Sequence, residues 1–263
     1  MKEHRTRTEA TMVAARERRS GPGGGSALLA ALMFCGLLVG GAAVSAQPAQ
    51  DEPEYPHAYP REGSRSASRN ERVIIWEVVW PDGVPAEYHW HRYDMTGVFL
   101  RWGPLRVKRP DGTFTVSETP FEVPSTFLLP KGVTHKEEGI GQPERHSIMI
   151  DMKDCTPPPR EPRTDVPPAM PHAGATLVLD EERVRVSDVR LAEGQELPLH
   201  VHNNDTVAVI LEGGTLRETD EDGTANTRTC AYKDVFFWPA GGRAHRDVVV
   251  EGTPRAFLFE LQD

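Results

Sequence analysis

The sequence lacks the features that mark helical, fibrous and nucleic-acid-binding proteins. Neither residues 70–155 nor 172–263 contain the 3.6-residue apolar rhythm of a long helix, and no apolar heptads run along the chain. The 23 Gly and 23 Pro follow no triplet period, which excludes a collagen. Beyond residue 46 there are 24 Lys and Arg against 36 Asp and Glu. Because such a chain repels phosphates, no nucleic-acid partner is expected.

Cysteines and common catalytic motifs are also scarce. There is no Gly-x-Ser-x-Gly turn for a serine nucleophile and no Gly-rich phosphate loop before a helix. Of three cysteines, only Cys155 and Cys230 lie beyond the N-terminal segment. In an oxidising compartment these two could form a disulfide, or they could be two buried thiols that never meet.

Residues 1–46 predict export. Basic residues end near Arg19, and residues 27–44 are apolar apart from Gly and Cys35. Val44-Ser45-Ala46 places small residues at −3 and −1 of a cleavage site before Gln47, which is typical of a signal peptide. The mature protein is therefore expected to be periplasmic or secreted, with no membrane contact after cleavage. The alternative is an uncleaved anchor, since these 18 residues just suffice to span a bilayer.

Composition divides the rest of the chain into two halves. Residues 47–69 are rich in Pro, Ser, Arg and acids, which predicts a disordered lead-in. Residues 156–171 contain seven prolines, which predicts a stiff, extended linker. The expected domains are therefore 70–155 and 172–263.

The two halves are copies of each other. A shift of 111 residues aligns Glu71–Thr113 with Glu182–Thr224 without a gap, and 16 of the 43 positions are identical. Unrelated sequences share only a few identities over that length, so the chain contains an internal duplication.

Each copy is expected to be all-β. Short β-branched segments recur, beginning with 72–80 and 183–191, and Asp111-Gly112 and Asp222-Gly223 are hairpin signals. Many short strands with regular turns predict a barrel or jelly roll in each half.

Six histidines recur with one spacing in both copies. Each copy has a His-x-His pair five residues after a Gly, and a third His soon after a Pro and Gly turn. Histidines at i and i+2 of a strand project from one face and can reach one metal ion. A third histidine from a later strand would complete the set and leave positions open for water or substrate. The predicted metal ligands are His89, His91 and His135 in the first half and His200, His202 and His245 in the second.

These motifs resemble those of the cupin superfamily, specifically a two-domain bicupin. The family's first motif is Gly, five residues, His-x-His, then usually a Glu and a Gly, and its second is Pro-x-Gly-x-x-His. The resemblance covers about residues 70–155 and 172–263 and implies two tandem double-stranded β-helix (jelly-roll) barrels. It implies up to one divalent transition metal per barrel, namely Fe, Mn, Zn, Ni or Cu.

The chain departs from the cupin pattern at the acidic position. The usual Glu is missing, and both copies instead have an acid three residues after the second His, Asp94 and Asp205. If the next strand starts there, the carboxylate could point inward at the ion, or it could cap the hairpin between strands. Glu137, Glu138 and Asp247 follow the third histidines and are interpreted as solvated loop charges rather than a general base.

The sequence thus predicts an exported bicupin that acts on or binds a small organic molecule at a three-His metal site. If it is an enzyme, the resemblance implies a dioxygenase-type or lyase-type reaction. The alternative is a non-catalytic module that holds a small ligand or carbohydrate. A homo-oligomer is compatible with either function.

Overall fold

A computed structural model describes residues 55–155 and 161–262. The expected signal segment, the first part of the lead-in and residues 156–160 of the linker lie outside the described residues. Within the described ranges, no helix has the length and apolar character needed to cross a membrane. Every regular element there is a β-strand, so the all-β prediction is confirmed.

The first barrel consists of nine strands in two sheets. The sheets have the strand orders β1-β2-β9-β4-β7 and β3-β8-β5-β6, with antiparallel pairing throughout. Their bounds are β1 Ser64–Arg69, β2 Val73–Trp80, β3 His89–Trp90, β4 Asp94–Arg101, β5 Leu105–Lys108, β6 Phe114–Ser117, β7 Ser125–Leu129, β8 Thr134–Gly139 and β9 Arg145–Met152.

The second barrel has seven strands joined in one sheet. The order is β10-β11-β16-β13-β14, with β12 on β16 and β15 on β13. Their bounds are β10 Ala175–Glu181, β11 Val184–Arg190, β12 Glu196–His200, β13 Thr206–Asp220, β14 Ala225–Cys230, β15 Val235–Trp238 and β16 His245–Leu261. The long β13 and β16 correspond to the pairs β4/β5 and β8/β9 of the first barrel. Because register shifts interrupt the β13–β16 ladder, each strand can contribute to both faces of the barrel.

The barrels pack against each other through one shared core. Buried side chains of β2, β4 and β9 meet those of β11, β13 and β16 in a single apolar cluster. Its fully buried members include Ile75 and Ile150 from the first barrel and Val186 and Phe259 from the second. The cluster encloses apolar surface that either barrel alone would expose to water.

The ordered part of each barrel begins earlier than the sequence suggested. The expected disordered lead-in is wrong for residues 55–69, because 64–69 form β1 on β2 and Trp90 N donates to Pro56 O at 2.9 Å. The expected linker is likewise part of the second barrel where it is described, since Ala169 N donates to Val201 O at 2.8 Å. A shift of 111 residues aligns these two arms as well, and proline, alanine and glycine recur at Pro56/Pro167, Ala58/Ala169, Pro60/Pro171 and Gly63/Gly174.

The two cysteines do not form the disulfide that the sequence left open. Cys155 and Cys230 are both free thiols. The Sγ of Cys155 donates to Glu71 O at 3.1 Å, and the Sγ of Cys230 donates to Gly214 O at 3.2 Å. The alternative of two separate thiols therefore describes the structure.

Candidate metal centres

Each His-x-His pair meets its third histidine across a strand pair. His89 on β3 lies opposite His135 on β8, and His200 on β12 lies opposite His245 on β16. The second histidine of each pair follows two residues later and faces the same side. All six side chains are buried, with exposed fractions of 2–8%. The structure therefore brings both predicted triads together inside the barrels.

The imidazoles of each triad converge closely enough to share one ion. In each group, one ring nitrogen from every histidine lies within 4.8 Å of the others. Ring centroids are 4.9–5.4 Å apart in the first barrel and 4.4–5.6 Å apart in the second. Trp238 stacks on His202 with centroids 5.2 Å apart and fixes the plane of that ring.

Hydrogen bonds to the Nδ1 atoms in the second barrel leave its Nε2 atoms free. His200 Nδ1 donates to Pro198 O at 2.9 Å, and His245 Nδ1 donates to Arg243 O at 3.3 Å. His202 Nδ1 donates to Thr206 Oγ1 at 3.2 Å, because that hydroxyl hydrogen goes to Asn204 O. A partner on Nδ1 places the lone pair on Nε2, which is the arrangement found in metal-binding histidines.

The first barrel has the same arrangement at one histidine and leaves buried ring nitrogens unpartnered. His89 Nδ1 donates to Glu87 O at 3.0 Å, while His89 Nε2 is buried without a partner. His91 Nε2 faces His135 Nε2 at 3.3 Å, and His91 Nδ1 has no partner. A buried nitrogen such as His89 Nε2 is unfavourable in an apolar interior unless a ligand satisfies it. Both triads therefore fit a transition metal ion.

Burial keeps four of the six imidazoles neutral. It lowers the pKa of His89 and His200 to about 4 and that of His91 and His202 to about 3. Neutral imidazole is the form that coordinates a metal, so four of the six ligands are ready to bind at pH 7.

A carboxylate lies beside each triad, but it is neither Asp94 nor Asp205, the two acids for which the sequence left a metal-ligand role open. Glu137 Oε1 is 3.4 Å from His135 Nε2. Asp247 Oδ2 is 3.8 Å from His200 Nε2 and 3.7 Å from His245 Nε2. Interpreting these two acids as solvated loop charges is wrong, since their side chains are only 13% and 15% exposed. The interpretation as a solvated loop charge fits Glu138 better, because that side chain is 30% exposed and pairs with Arg106.

Asp94 and Asp205 lie outside both triads. Asp94 accepts a hydrogen bond from Lys131 N at 2.9 Å, and Asp205 accepts one from Ala240 N at 2.7 Å. Each aspartate therefore ties the start of a strand to the distant Pro and Gly turn that precedes the third histidine, which is neither a metal-ligand contact nor a cap of its own hairpin. The inward-facing alternative fails because the face that carries Asp94 and Val98 points at the other barrel, where Val98 joins the shared core.

A cavity of about 110 Å³ lies beside the triad of the second barrel. Its wall contains all three histidines, Asp247, Glu218, Arg228 and Cys230, and is otherwise mostly apolar. Cavities of this order hold one molecule of about the size of benzene. The apolar wall includes Val189, Leu191, Ile210, Phe236 and Trp238.

The interior of the first barrel carries larger side chains at two matching positions. The repeat puts Trp80 where the second barrel has Leu191, and Phe99 where it has Ile210. Trp80 Nε1 donates to Glu137 Oε2 at 2.8 Å, and Arg61 Nη2 donates to the same oxygen at 2.7 Å. One oxygen of the first carboxylate, Oε2, thus accepts two hydrogen bonds from its own barrel, while Oε1 faces His135.

His57, which belongs to neither repeated histidine motif, is part of a buried network. His57 Nε2 donates to Asp151 Oδ2 at 2.9 Å, and Trp76 Nε1 donates to the same oxygen at 2.9 Å. Asp151 is fully buried. The signal that could have found His57 and Arg61 is the repeat itself, which continues upstream through the prolines of the two arms.

No protein-family model and no curated protein matches the sequence. Solved structures share its fold. An oxalate decarboxylase from Bacillus subtilis, whose Mn(II) centres were studied, is 15% identical with a TM-score of 0.51 over 80% of each chain. AerE from Microcystis aeruginosa is 12% identical with a TM-score of 0.52 over 80% of this chain and 99% of that one. A formate complex of oxalate decarboxylase from Lactobacillus farciminis is 12% identical, with a TM-score of 0.52 over 79% of this chain and 88% of that one.

Proposed function

Since the chain has the two-domain cupin fold, a bicupin, we propose that it binds one transition metal ion in each barrel and a small organic molecule beside the metal of the second. The observation that carries the proposal is the cavity that opens directly onto His200, His202 and His245. The first barrel would use its metal site without a comparable ligand space.

The donor set of each barrel suits a borderline or soft divalent ion. Three imidazoles with a neighbouring carboxylate favour Fe(II), Mn(II), Zn(II), Ni(II) or Cu(II) over the oxygen-seeking Mg²⁺ and Ca²⁺. When bound, such an ion acts as a Lewis acid and a template for a substrate oxygen or nitrogen. The Mn(II) centres of the Bacillus subtilis oxalate decarboxylase make Mn(II) one of the first ions to test.

The chain's own residues indicate the kind of molecule. The apolar wall accepts an apolar body, while Glu218, Asp247 and Arg228 at the cavity provide acceptors and a donor for one polar end. The same wall argues against a carbohydrate, whose many hydroxyl groups need many hydrogen-bond partners. A small, largely apolar molecule with a single polar group is therefore the proposed ligand.

Asp247 favours a reaction over passive holding. No donor among the described residues hydrogen-bonds its largely buried carboxylate, which lies within 3.8 Å of two triad nitrogens. An acceptor placed in this way can orient a bound hydroxyl or amine group, or contact the ion itself. A dioxygenase-type or lyase-type reaction and a non-catalytic binding module are the two outcomes that activity assays would separate.

Elemental analysis of the full mature chain tests the metal sites. Wild type should hold two ions, and His91→Ala and His202→Ala should each hold one, because each removes one of three imidazoles. His146→Ala is the matched control, since that histidine pairs with Glu77 and belongs to neither triad. Wild type without metal after gentle purification and reconstitution with each ion would overturn the proposal.

Export is part of the proposal and depends on residues 1–46 alone. The mature protein should begin at Gln47 and be found in the periplasm or the medium. N-terminal sequencing of protein from the native host checks this, and a chain that retains residues 27–44 would favour the uncleaved anchor.

A further inference from the structure

Two arginine–aspartate pairs cross between the barrels. Arg72 directly precedes β2 and pairs with Asp205 of the second barrel, while Arg183 directly precedes β11 and pairs with Asp94 of the first. The 111-residue repeat relates Arg72 to Arg183 and Asp94 to Asp205. The duplication has therefore produced a reciprocal contact in which each barrel offers an arginine to the other.

The Arg72 pair is short and shielded from water. Arg72 Nε donates to Asp205 Oδ2 at 2.7 Å, and the two side chains are only 10% and 7% exposed. Arg72 Nη1 also donates to Cys155 O at 2.8 Å, which holds the guanidinium on its own barrel. A charge-assisted bond of this length in a buried place is stronger and more directional than a surface ion pair.

Asp205 connects this arginine to the turn at Pro239, Ala240 and Gly241, which precedes His245 and is the metal-site turn of this barrel. Its second oxygen, Oδ1, accepts from Ala240 N at 2.7 Å, and Gly241 N donates to His202 O at 2.8 Å. The turn that these bonds fix leads directly to His245. Arg72 thus acts, through one carboxylate, on the segment that sets the spacing between the second and third histidines.

The reciprocal pair in the first barrel is built alike but is looser. Asp94 Oδ1 accepts from Lys131 N at 2.9 Å, and Gly132 N donates to His91 O at 2.7 Å. Arg183 Nε, however, lies 3.9 Å from Asp94 Oδ2 and makes no hydrogen bond. The first triad is therefore braced less firmly from outside its own barrel.

We propose that Arg72 and Arg183 are positioning residues for the metal site of the opposite barrel, acting through Asp205 and Asp94. The inference rests on the proposed metal function. Each metal site then depends on the opposite barrel, since the affinity of one triad is set partly by an arginine of the other barrel. Removing outer contacts of metal ligands typically lowers affinity by about 10–100-fold. Because Arg72 acts at one further remove, a loss of about tenfold is expected, and a smaller loss is expected for Arg183.

The test isolates one barrel at a time in the full mature chain. In a His91→Ala background only the second triad remains, so Co(II) affinity, measured by competition with a chelator and by visible absorption, reports that barrel alone. Arg72→Ala should weaken Co(II) binding there about tenfold. In a His202→Ala background, the same substitution should leave the affinity of the first triad unchanged, whereas Arg183→Ala should lower it.

Lys233→Ala is the matched control. It also breaks an ion pair between the barrels, in which Lys233 Nζ lies 2.5 Å from Glu77 Oε1. Glu77 makes no described hydrogen bond to the turn that precedes either third histidine. Added to the His91→Ala or the His202→Ala background, Lys233→Ala should leave the Co(II) affinity unchanged. Where Arg72→Ala does not fold, Arg72→Lys keeps the charge and should bind Co(II) with an intermediate affinity.

The possible outcomes separate the two proposals. Unchanged Co(II) affinity in folded Arg72→Ala, or an equal loss in both barrels or in Lys233→Ala, would overturn the bracing role while leaving the metal function intact. Absence of Co(II) binding by the His91→Ala background itself would reject the second metal site, and the bracing role with it.

Discussion

The two barrels share one skeleton but treat the carboxylate beside their histidines in opposite ways. In the first, Glu137 accepts from Arg61 and Trp80, and the indole of Trp80 is buried beside it. In the second, the repeat places Leu191 where Trp80 stands and His172 where Arg61 stands. The space that these smaller side chains leave contributes to the cavity beside Asp247. A few substitutions in a duplicated barrel thus distinguish a filled site from an open one.

The electrostatics of the two carboxylates follow the same division. Burial acts to raise the pKa of Glu137, but the hydrogen bond with His135 and the charge of Arg61 outweigh it and hold the pKa well below its ordinary value. Burial raises the pKa of Asp247 to about 6, and His245 opposes this only in part. The first acid is therefore a satisfied anion, whereas the second lacks the partners that would make it one.

The largest expected effect concerns what the barrels have in common, their shared core. Phe259 is fully buried there, so Phe259→Ala should lower the free energy of unfolding by about 3–5 kcal/mol through lost burial and a residual cavity. Denaturant unfolding should show a single transition for both barrels, shifted as a whole. The control is Phe114→Ala, whose ring is 61% exposed and which should change stability by less than about 0.5 kcal/mol. Two separate transitions, with only one shifted, would mean that the barrels are independent.

The second prediction removes the difference between the barrels. Leu191→Trp gives the second barrel the indole of the first, so the cavity should close while the triad remains. Binding of benzyl alcohol, an apolar ring with one hydroxyl, should fall at least about tenfold by calorimetry, and overpacking should cost about 1–3 kcal/mol of stability. Val250→Trp, at a position 49% exposed, is the control and should bind as wild type does. If Leu191→Trp binds benzyl alcohol as wild type does, the ligand site lies elsewhere. A parallel titration of wild type with benzoate shows whether the cavity prefers an anionic or a neutral polar group.

Much of this architecture was predictable because it depends on period-two patterns. Alternation along a strand places His89 and His91 on one face, and a gap-free repeat guarantees that His200 and His202 do the same. The third histidines followed from their position after a turn. The same reasoning applied to the position two residues beyond them would have found Glu137 and Asp247, which share their strand face.

What the sequence hid depends on long-range contacts. β1 is Ser64–Arg69, whose polar composition resembles disorder, but it is an edge strand held to β2 by backbone hydrogen bonds. The alternation of side chains along a strand correctly places Asp205 on one face with Val207 and Val209. It could not tell whether that face points into the barrel or toward the partner barrel, since both surroundings are apolar. Only the packing of one barrel on the other decides it.

The smallest expected effect sharpens the contrast at the first carboxylate. Trp80→Phe keeps most of the ring but removes one donor to Glu137, so a buried anion loses one of the two hydrogen bonds that its Oε2 accepts. Stability should fall by about 1–2 kcal/mol, measured by denaturant unfolding, with metal content unchanged. Trp102→Phe is the matched control, because the Nε1 of Trp102 is buried without a partner and its removal breaks no hydrogen bond. If both variants lose the same stability, the loss reflects ring packing, and the hydrogen bond from Trp80 contributes nothing to holding Glu137 as an anion.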